Sequence, residues 1–290
     1  MKPAKFIHER PATVQQAVAL LGRYEEAKVL AGGQSLVPLL SMRLSQPEAL
    51  IDLAGIAGMD GIEVCADAVT IGAMATHRRV ETDPEVGRRI PLLPMALANV
   101  GHVTIRNQGT IGGSIAHADP AAELPAVALA LEATMVVTGP AGTREIAAAD
   151  FFEGFLTTAL GADEILTAVR FPLPPAGTRW AVEEFARRHG DFALVAVYAG
   201  LRISAGGTID WARLALGGVA ATPVRAAAVE TELLGRPATP QLLAAAARAA
   251  AESIDPPADI HGTTAFRKDL AATLTERALR RIADVKDGAP

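Results

Sequence analysis

Cysteine is almost absent from this chain: 290 residues contain one, Cys65. An intrachain disulfide framework is therefore excluded. So is an iron–sulfur cluster held by the chain's own thiolates, which needs several of them. Set in Ile62-Glu63-Val64-Cys65-Ala66, the cysteine reads as a core residue of a strand rather than a reactive thiol. Dense basic runs are missing too. The formal net charge is -5, and the nearest candidate, Arg187-Arg188-His189, is short. Phosphate-backbone recognition needs clustered Lys and Arg, so nucleic acid is not the main partner. No apolar run reaches the length of a membrane span. No apolar signal region follows Met1-Lys2-Pro3-Ala4-Lys5-Phe6, and the expected compartment is the cytoplasm.

Several catalytic signatures are also lacking. The 6 histidines, His8, His77, His102, His117, His189 and His261, contain no His-x-x-x-His pair. No serine stands in a Gly-x-Ser-x-Gly elbow. No catalytic or metal-ligating residue is assigned. Neither Gly-x-Gly-x-x-Gly nor Gly-x-x-x-x-Gly-Lys-Ser/Thr occurs, which excludes the two commonest nucleotide-binding architectures. A chain without evident acid–base or nucleophilic machinery suits a protein whose cofactor does the chemistry.

What is present is glycine in pairs. Ala31-Gly32-Gly33-Gln34-Ser35 and Thr110-Ile111-Gly112-Gly113-Ser114 lie about eighty residues apart, each near an apolar stretch and each leading into a helix-compatible segment. Glycine pairs reach backbone angles closed to other residues, and successive N–H groups in such a turn can line an anion-binding concavity. One dinucleotide's two phosphates fit between two such turns, although a single pair is more often an ordinary tight turn. Past the second pair, His117-Ala118-Asp119-Pro120-Ala121-Ala122-Glu123 brings two carboxylates. They suit ribose hydroxyls, and they equally suit a helix start, where acids favour the dipole.

Half the residues are hydrophobic and a fifth charged, the composition of a globular protein, and 290 residues suit two domains. Pro172, Pro174, Pro175 and Gly177 form a breaker cluster. The boundary is placed there, giving a domain over 1–175, with subdomains of about 1–55 and 56–175, and another over 178–286. Thr13 to Gln16 fits a capping box, with a helix to about Leu21. Strands are expected at 27–31, 49–53, 69–73, 135–137, 165–169, 182–185, 194–203 and 211–216. Helices are expected at 36–44, 76–80, 91–100, 121–131, 225–234, 240–253 and 263–282. The stretch 104–109 reads as a turn.

Both glycine motifs, extended to Leu36 and back to Ile105-Arg106-Asn107-Gln108-Gly109, resemble the FAD-binding medium subunit of molybdenum hydroxylases. The carbon monoxide dehydrogenase and xanthine dehydrogenase flavoproteins form that family. His117 to Pro125, Arg187-Arg188-His189-Gly190-Asp191-Phe192-Ala193 and His261-Gly262-Thr263-Thr264-Ala265-Phe266-Arg267 match in the expected order. The resemblance implies an α+β fold: a vanillyl-alcohol-oxidase-type FAD-binding fold of two α/β subdomains, then a small α+β domain. It implies non-covalent FAD, with Ala31, Gly32, Gly33, Gln34, Ser35, Leu36, Thr110, Gly112, Gly113 and Ser114 at the pyrophosphate. Glu123 falls near the adenosine ribose, and Ile165 or Leu166 with Asp191 and Phe192 near the flavin ring. Family members commonly carry Tyr where Phe192 stands, so the hydroxyl is lost here; core packing is the other reading of Phe192.

The resemblance further implies electron transfer from iron–sulfur clusters on a small partner subunit, fed by a molybdenum cofactor on a large one, to an external acceptor. Two alternatives stay open on sequence alone. One is a stand-alone flavoenzyme of the same fold. The other is an assembly subunit with a vestigial nucleotide site.

Overall fold

The structure, a computed structural model, describes residues 2–283. The expected end of the second domain, 284–286, lies outside them. The chain opens with a three-stranded parallel sheet in the order Ile7–Glu9, Ala49–Asp52, Ala27–Leu30. Parallel neighbours need crossover connections, and the helices Val14–Leu21 and Leu36–Ser41 lie in those connections. Thr13 caps the first by accepting the Gln16 N–H. The Gln16 side chain reaches back to the Ala12 N–H at 2.9 Å, one residue beyond the expected box. Ala17, Val18 and Leu21 carry this helix into the core.

A five-stranded antiparallel sheet follows, in the order Ile62–Val64, Ala68–Gly72, Ile165–Pro172, Thr134–Gly139, Gly142–Ala147. Its central strand comes last in sequence, after the helices His77–Thr82, Pro84–Arg89, Leu92–Leu97, Val103–Arg106, Ile111–His117 and Glu123–Ala130, of which Ile111–His117 packs on the sheet. Two expectations fail here. Cys65 is exposed, not core. The strand ends at Val64, and Cys65 opens the hairpin turn by donating its N–H to the Ala68 carbonyl at 2.8 Å. Residues 103–106 form a helical turn where the polar sequence reads as a plain loop; the Asn107 N–H donates to Val103 at 2.9 Å and the Arg106 N–H to His102 at 3.0 Å.

The last part is a four-stranded antiparallel sheet, Arg179–Phe185, Val195–Ile203, Ile209–Gly217, Val224–Arg225, backed by the helices Pro240–Glu252 and Thr264–Ala283. Successive strand residues point to opposite faces. On one face Ala181, Val195, Val197 and Leu216 build a core with the two helices. On the other, Trp180, Ala196, Tyr198 and Ala215 join the core of the first half of the chain. The architecture is α+β. Among the described residues no helix is long and apolar enough to cross a membrane.

Candidate functional site

The fold brings the two glycine motifs into contact. A methyl built on Gly32 would lie 2.1 Å from the Gln108 carbonyl oxygen, and one built on Gly113 would lie 3.5 Å from the Ala31 methyl. Gly33 sits at φ 71°, the left-handed region that favours glycine. Among the described residues, the backbone N–H groups of Gly32, Gly33, Gln34 and Ser35 donate to no protein oxygen. Four consecutive free donors in a bend that turns into the Leu36 helix are the arrangement an anion requires. The Gln34 amide folds back onto the Gly32 carbonyl at 3.2 Å.

The second motif differs from the expected turn. Gly112 and Gly113 lie inside the helix Ile111–His117, with Thr110 as its cap. All four leading N–H groups are engaged within the protein: Ile111 to Ala75 at 3.0 Å, Gly112 to Ala73 at 2.9 Å, Gly113 to the Thr110 hydroxyl at 3.0 Å and Ser114 to the Thr110 carbonyl at 3.0 Å. Backbone donors are therefore not what this motif offers. It offers a surface without side chains and, among the described residues, a Ser114 hydroxyl free of protein partners. Gly112 is glycine because a methyl there would meet the Ala73 methyl at 2.4 Å.

His77 holds this motif from below, a role the sequence did not signal. Its backbone N–H donates to the Gly109 carbonyl at 2.8 Å, and its ring Nε2 meets the Thr110 carbonyl at 2.9 Å. The ring is buried, which pulls its pKa down to about 4 and keeps it neutral. A neutral ring donating from Nε2 leaves Nδ1 as the bare nitrogen.

Ile165 and Leu166 are buried at the start of the central strand. The strand bulges between Leu166 and Ala168. The intervening Thr167 carbonyl accepts the Ala73 N–H at 2.9 Å, and Ala73 in turn accepts the Gly112 N–H. Two hydrogen bonds thus link this strand to the second glycine motif. Asp191 and Phe192 occupy an exposed loop. Phe192 is 59% exposed, which excludes core packing as its role. The loop rests on Gly101 and His102: a methyl built on Gly190 would come within 2.9 Å of the His102 ring. That contact lies at the start of the segment running to Gly109.

Asp119 serves locally, its carboxylate accepting the Ala121 N–H at 2.9 Å. Glu123 opens the helix Glu123–Ala130, yet it is buried, with 7% of its surface exposed. Burial, then the neighbouring Glu184, push its carboxyl up to about 8. Desolvation disfavours the charged form unless donors reach it. A buried carboxyl lacking a paired cation is a fit receptor for hydroxyl donors such as those of a ribose. Sequence reasoning missed Glu184 and Tyr198 beside it, because strand pairing and not chain proximity brings them there.

The family model for the FAD binding domain in molybdopterin dehydrogenase matches residues 4–174, and that for the CO dehydrogenase flavoprotein C-terminal domain matches 180–282. The chain is 39% identical to caffeine dehydrogenase subunit beta of a Pseudomonas species over 289 residues, covering 98% of this chain and 97% of that one. It is 39% identical to the carbon monoxide dehydrogenase medium chain of Hydrogenophaga pseudoflava over 280 residues, with coverages of 96% and 97%. Among solved structures, the carbon monoxide dehydrogenase of Hydrogenophaga pseudoflava lacking the Mo-pyranopterin moiety superposes with a TM-score of 0.94 at 40% identity, covering 97% and 98% of the two chains. Quinoline 2-oxidoreductase of Pseudomonas putida 86 gives 0.94 at 41% identity, covering 98% of each.

Proposed function

Because the chain belongs to the family of FAD-binding flavoprotein subunits of molybdenum hydroxylases, we propose that it is the electron-transfer subunit of such an oxidoreductase complex. Its partners are a large subunit carrying the molybdenum cofactor and a small subunit carrying iron–sulfur clusters. Related chains are named as medium chains or as one subunit of a dehydrogenase, and the one cysteine of this chain requires any cluster to sit elsewhere. Bound FAD supplies the redox chemistry, relaying electrons from the partner's clusters to an external acceptor. The complex acts in the cytoplasm.

The observation that carries this reading is the meeting of the two glycine motifs around four free N–H groups. In it, Gly32 to Ser35 donate to the pyrophosphate while Ala31 and Leu36 bound the bend. Gly112 and Gly113 let the phosphates approach, and the Thr110 and Ser114 hydroxyls flank them. Glu123 accepts the adenosine ribose. Ile165, Leu166, Asp191 and Phe192 border the flavin ring. No residue stands out for covalent attachment, so the cofactor is held non-covalently. Residues 1–175, in subdomains of about 1–55 and 56–175, bind it, and 178–286 make up the second domain.

The test is to purify the full chain alone, load it with FAD and offer aldehydes, purines and carbon monoxide with an artificial dye. The expected result is a flavoprotein whose yellow colour is released by acid and which reduces no dye until the partner subunits are added. Substrate-dependent dye reduction by the isolated chain overturns the electron-transfer reading in favour of a stand-alone flavoenzyme.

A further inference from the structure

Glu184 and Tyr198 belong to the C-terminal sheet and lie on its face toward the first half of the chain; the helix that Glu123 opens packs on the Tyr198 strand. Glu184 pairs with Ala196, and Tyr198 stands two residues along the neighbouring strand, opposite Val182. Diagonal positions of this kind share a face and lie roughly 7–8 Å apart, within reach of long and aromatic side chains. Their face is the one that joins the core of the first half of the chain. The row Glu184, Ala196, Gly217 crosses three strands. The segment leading into Glu123 is laid over its far end. The Gly218 N–H donates to the Pro120 carbonyl at 2.7 Å, and a methyl built on Gly217 would stand 3.4 Å from the Pro120 oxygen and 3.8 Å from that of Ala122.

Tyr198 is fully buried, and its hydroxyl has no hydrogen-bond partner among the described residues; one buried carboxyl oxygen of Glu184 is likewise without a donor. Buried polar atoms in native proteins are nearly always paired. These two therefore keep bonding capacity unspent on the face packed against the helix that Glu123 opens.

We propose that the adenosine end of the dinucleotide is read from both halves of the chain, Glu123 accepting the ribose hydroxyls while Glu184 and Tyr198 act as positioning residues that hold the Glu123 carboxyl and set its charge. This rests on the reading of the chain as an FAD subunit. Each hydroxyl donated to Glu123 favours its carboxylate, so FAD binding below the carboxyl's pKa releases one proton to solvent. Glu123 stands at about 8, pushed up by burial and then by Glu184, and burial holds Glu184 at about 7. Asp119 and Arg106 also bear on Glu123, in opposite directions. The elements packed on its helix add His117 and Asp150. They add Arg202, paired with Asp210, and Arg213 and Arg225, both held by Glu132 and Glu230.

The test is a titration of the flavin-free full chain with FAD and with FMN between about pH 6 and 9, read by flavin fluorescence. FAD affinity should rise with pH and level off above a midpoint near 8, whereas FMN, which has no adenosine ribose, should show no such rise. E184Q should keep the plateau affinity and move the midpoint to lower pH, because the amide carries no charge to oppose ionisation of Glu123. Y198F removes an orphaned hydroxyl, so its thermal stability should hold or rise while its FAD affinity falls about threefold to tenfold and its FMN affinity stays. A wild-type midpoint in E184Q, or wild-type FAD affinity in Y198F, overturns the proposal and leaves the FAD subunit intact. A chain that binds neither flavin at any pH overturns the FAD-subunit reading itself.

Discussion

A missing methyl group does different work at each glycine of the two motifs. At Gly32 the added carbon would strike the backbone carbonyl of Gln108, which has nowhere to move. Gly32→Ala should lower stability by about 3 kcal/mol and lose FAD binding with the fold. At Gly113 the nearest atom is the Thr110 hydroxyl at 2.7 Å, a side chain that can turn away at the expense of its capping bond. Gly113→Ala should therefore lose only about 1 kcal/mol while weakening FAD binding clearly. Denaturant unfolding set beside flavin titration separates the two effects, and a Gly113→Ala chain with undiminished FAD affinity removes the second motif from the site. Buried titrating groups make a second prediction at this scale. Glu123 and Glu184 are raised above the ordinary carboxylate value of 4.5, to about 8 and about 7. The folded chain then keeps protons that the unfolded chain has released. Their contribution is complete at low pH and is lost as pH climbs through 7 and 8. His77 works the other way: lowered from 6.5 to about 4, it removes stability as pH falls through that interval. The slopes oppose each other below 6.5, and the acids act alone above it. The urea midpoint of the flavin-free chain should thus fall between about pH 6.5 and pH 8, less steeply in Glu123→Gln. A flat wild-type profile would show that these carboxyls are not buried as described.

Among the elements, the helix Thr264–Ala283 does most to lock the loop before it. Its buried Arg267 donates to the Leu194 carbonyl at 2.6 Å, to Gly218 at 3.3 Å and to Asp259 at 2.7 Å. Arg267→Met leaves two carbonyls and a carboxylate short of donors and should destabilise by about 3 kcal/mol. Lysine should restore little, lacking the planar fork. Equal unfolding midpoints for Arg267→Met and wild type would refute the anchoring role. Elements were also where the sequence was most and least legible. The long strands and the last two helices follow from period and caps: Thr239 and Pro240 start one helix, as their residue types suggest. The second glycine motif misleads because two glycines disfavour a helix. Here the helix survives them because Ala73 and Ala75 engage its N–H groups and the Ala73 methyl demands the space. Cys65 misleads because an apolar flank resembles a strand until the chain must reverse. Glu123 stands out in the sequence by its place after the motif, but its burial does not, since a helix start is more often exposed. Glu184 and Tyr198 do not stand out, because their meeting depends on long-range register that no local pattern records.

For the whole molecule, the clasp between the first half and the C-terminal sheet is graded in strength. Glu132 reaches across from the turn after the Glu123 helix to Arg213 at 2.6 Å and Arg225 at 2.7 Å, but it is about half exposed. Both arginines also serve the buried Glu230, which accepts the Leu214 N–H at 2.9 Å. Solvent screens the outer carboxylate, so Glu132→Gln should cost under about 1 kcal/mol. Glu230→Gln strips charge from a buried network and should cost about 3 kcal/mol. Near-equal losses in chemical denaturation would contradict that ranking.

The strand Arg179–Phe185 sets two adjacent glutamates to opposite tasks. Glu183 turns to the long helix, where Arg277 and Arg281 meet it, and Glu184 turns to the other half of the chain. Nothing in their chemistry separates them; only parity does. Deleting one residue from the strand would exchange their addresses, sending Glu183's charge toward the first half of the chain and Trp180 out of its core. Deleting two would restore every side chain to its own face. For lineages descending from this chain, that strand admits edits in pairs and resists single ones.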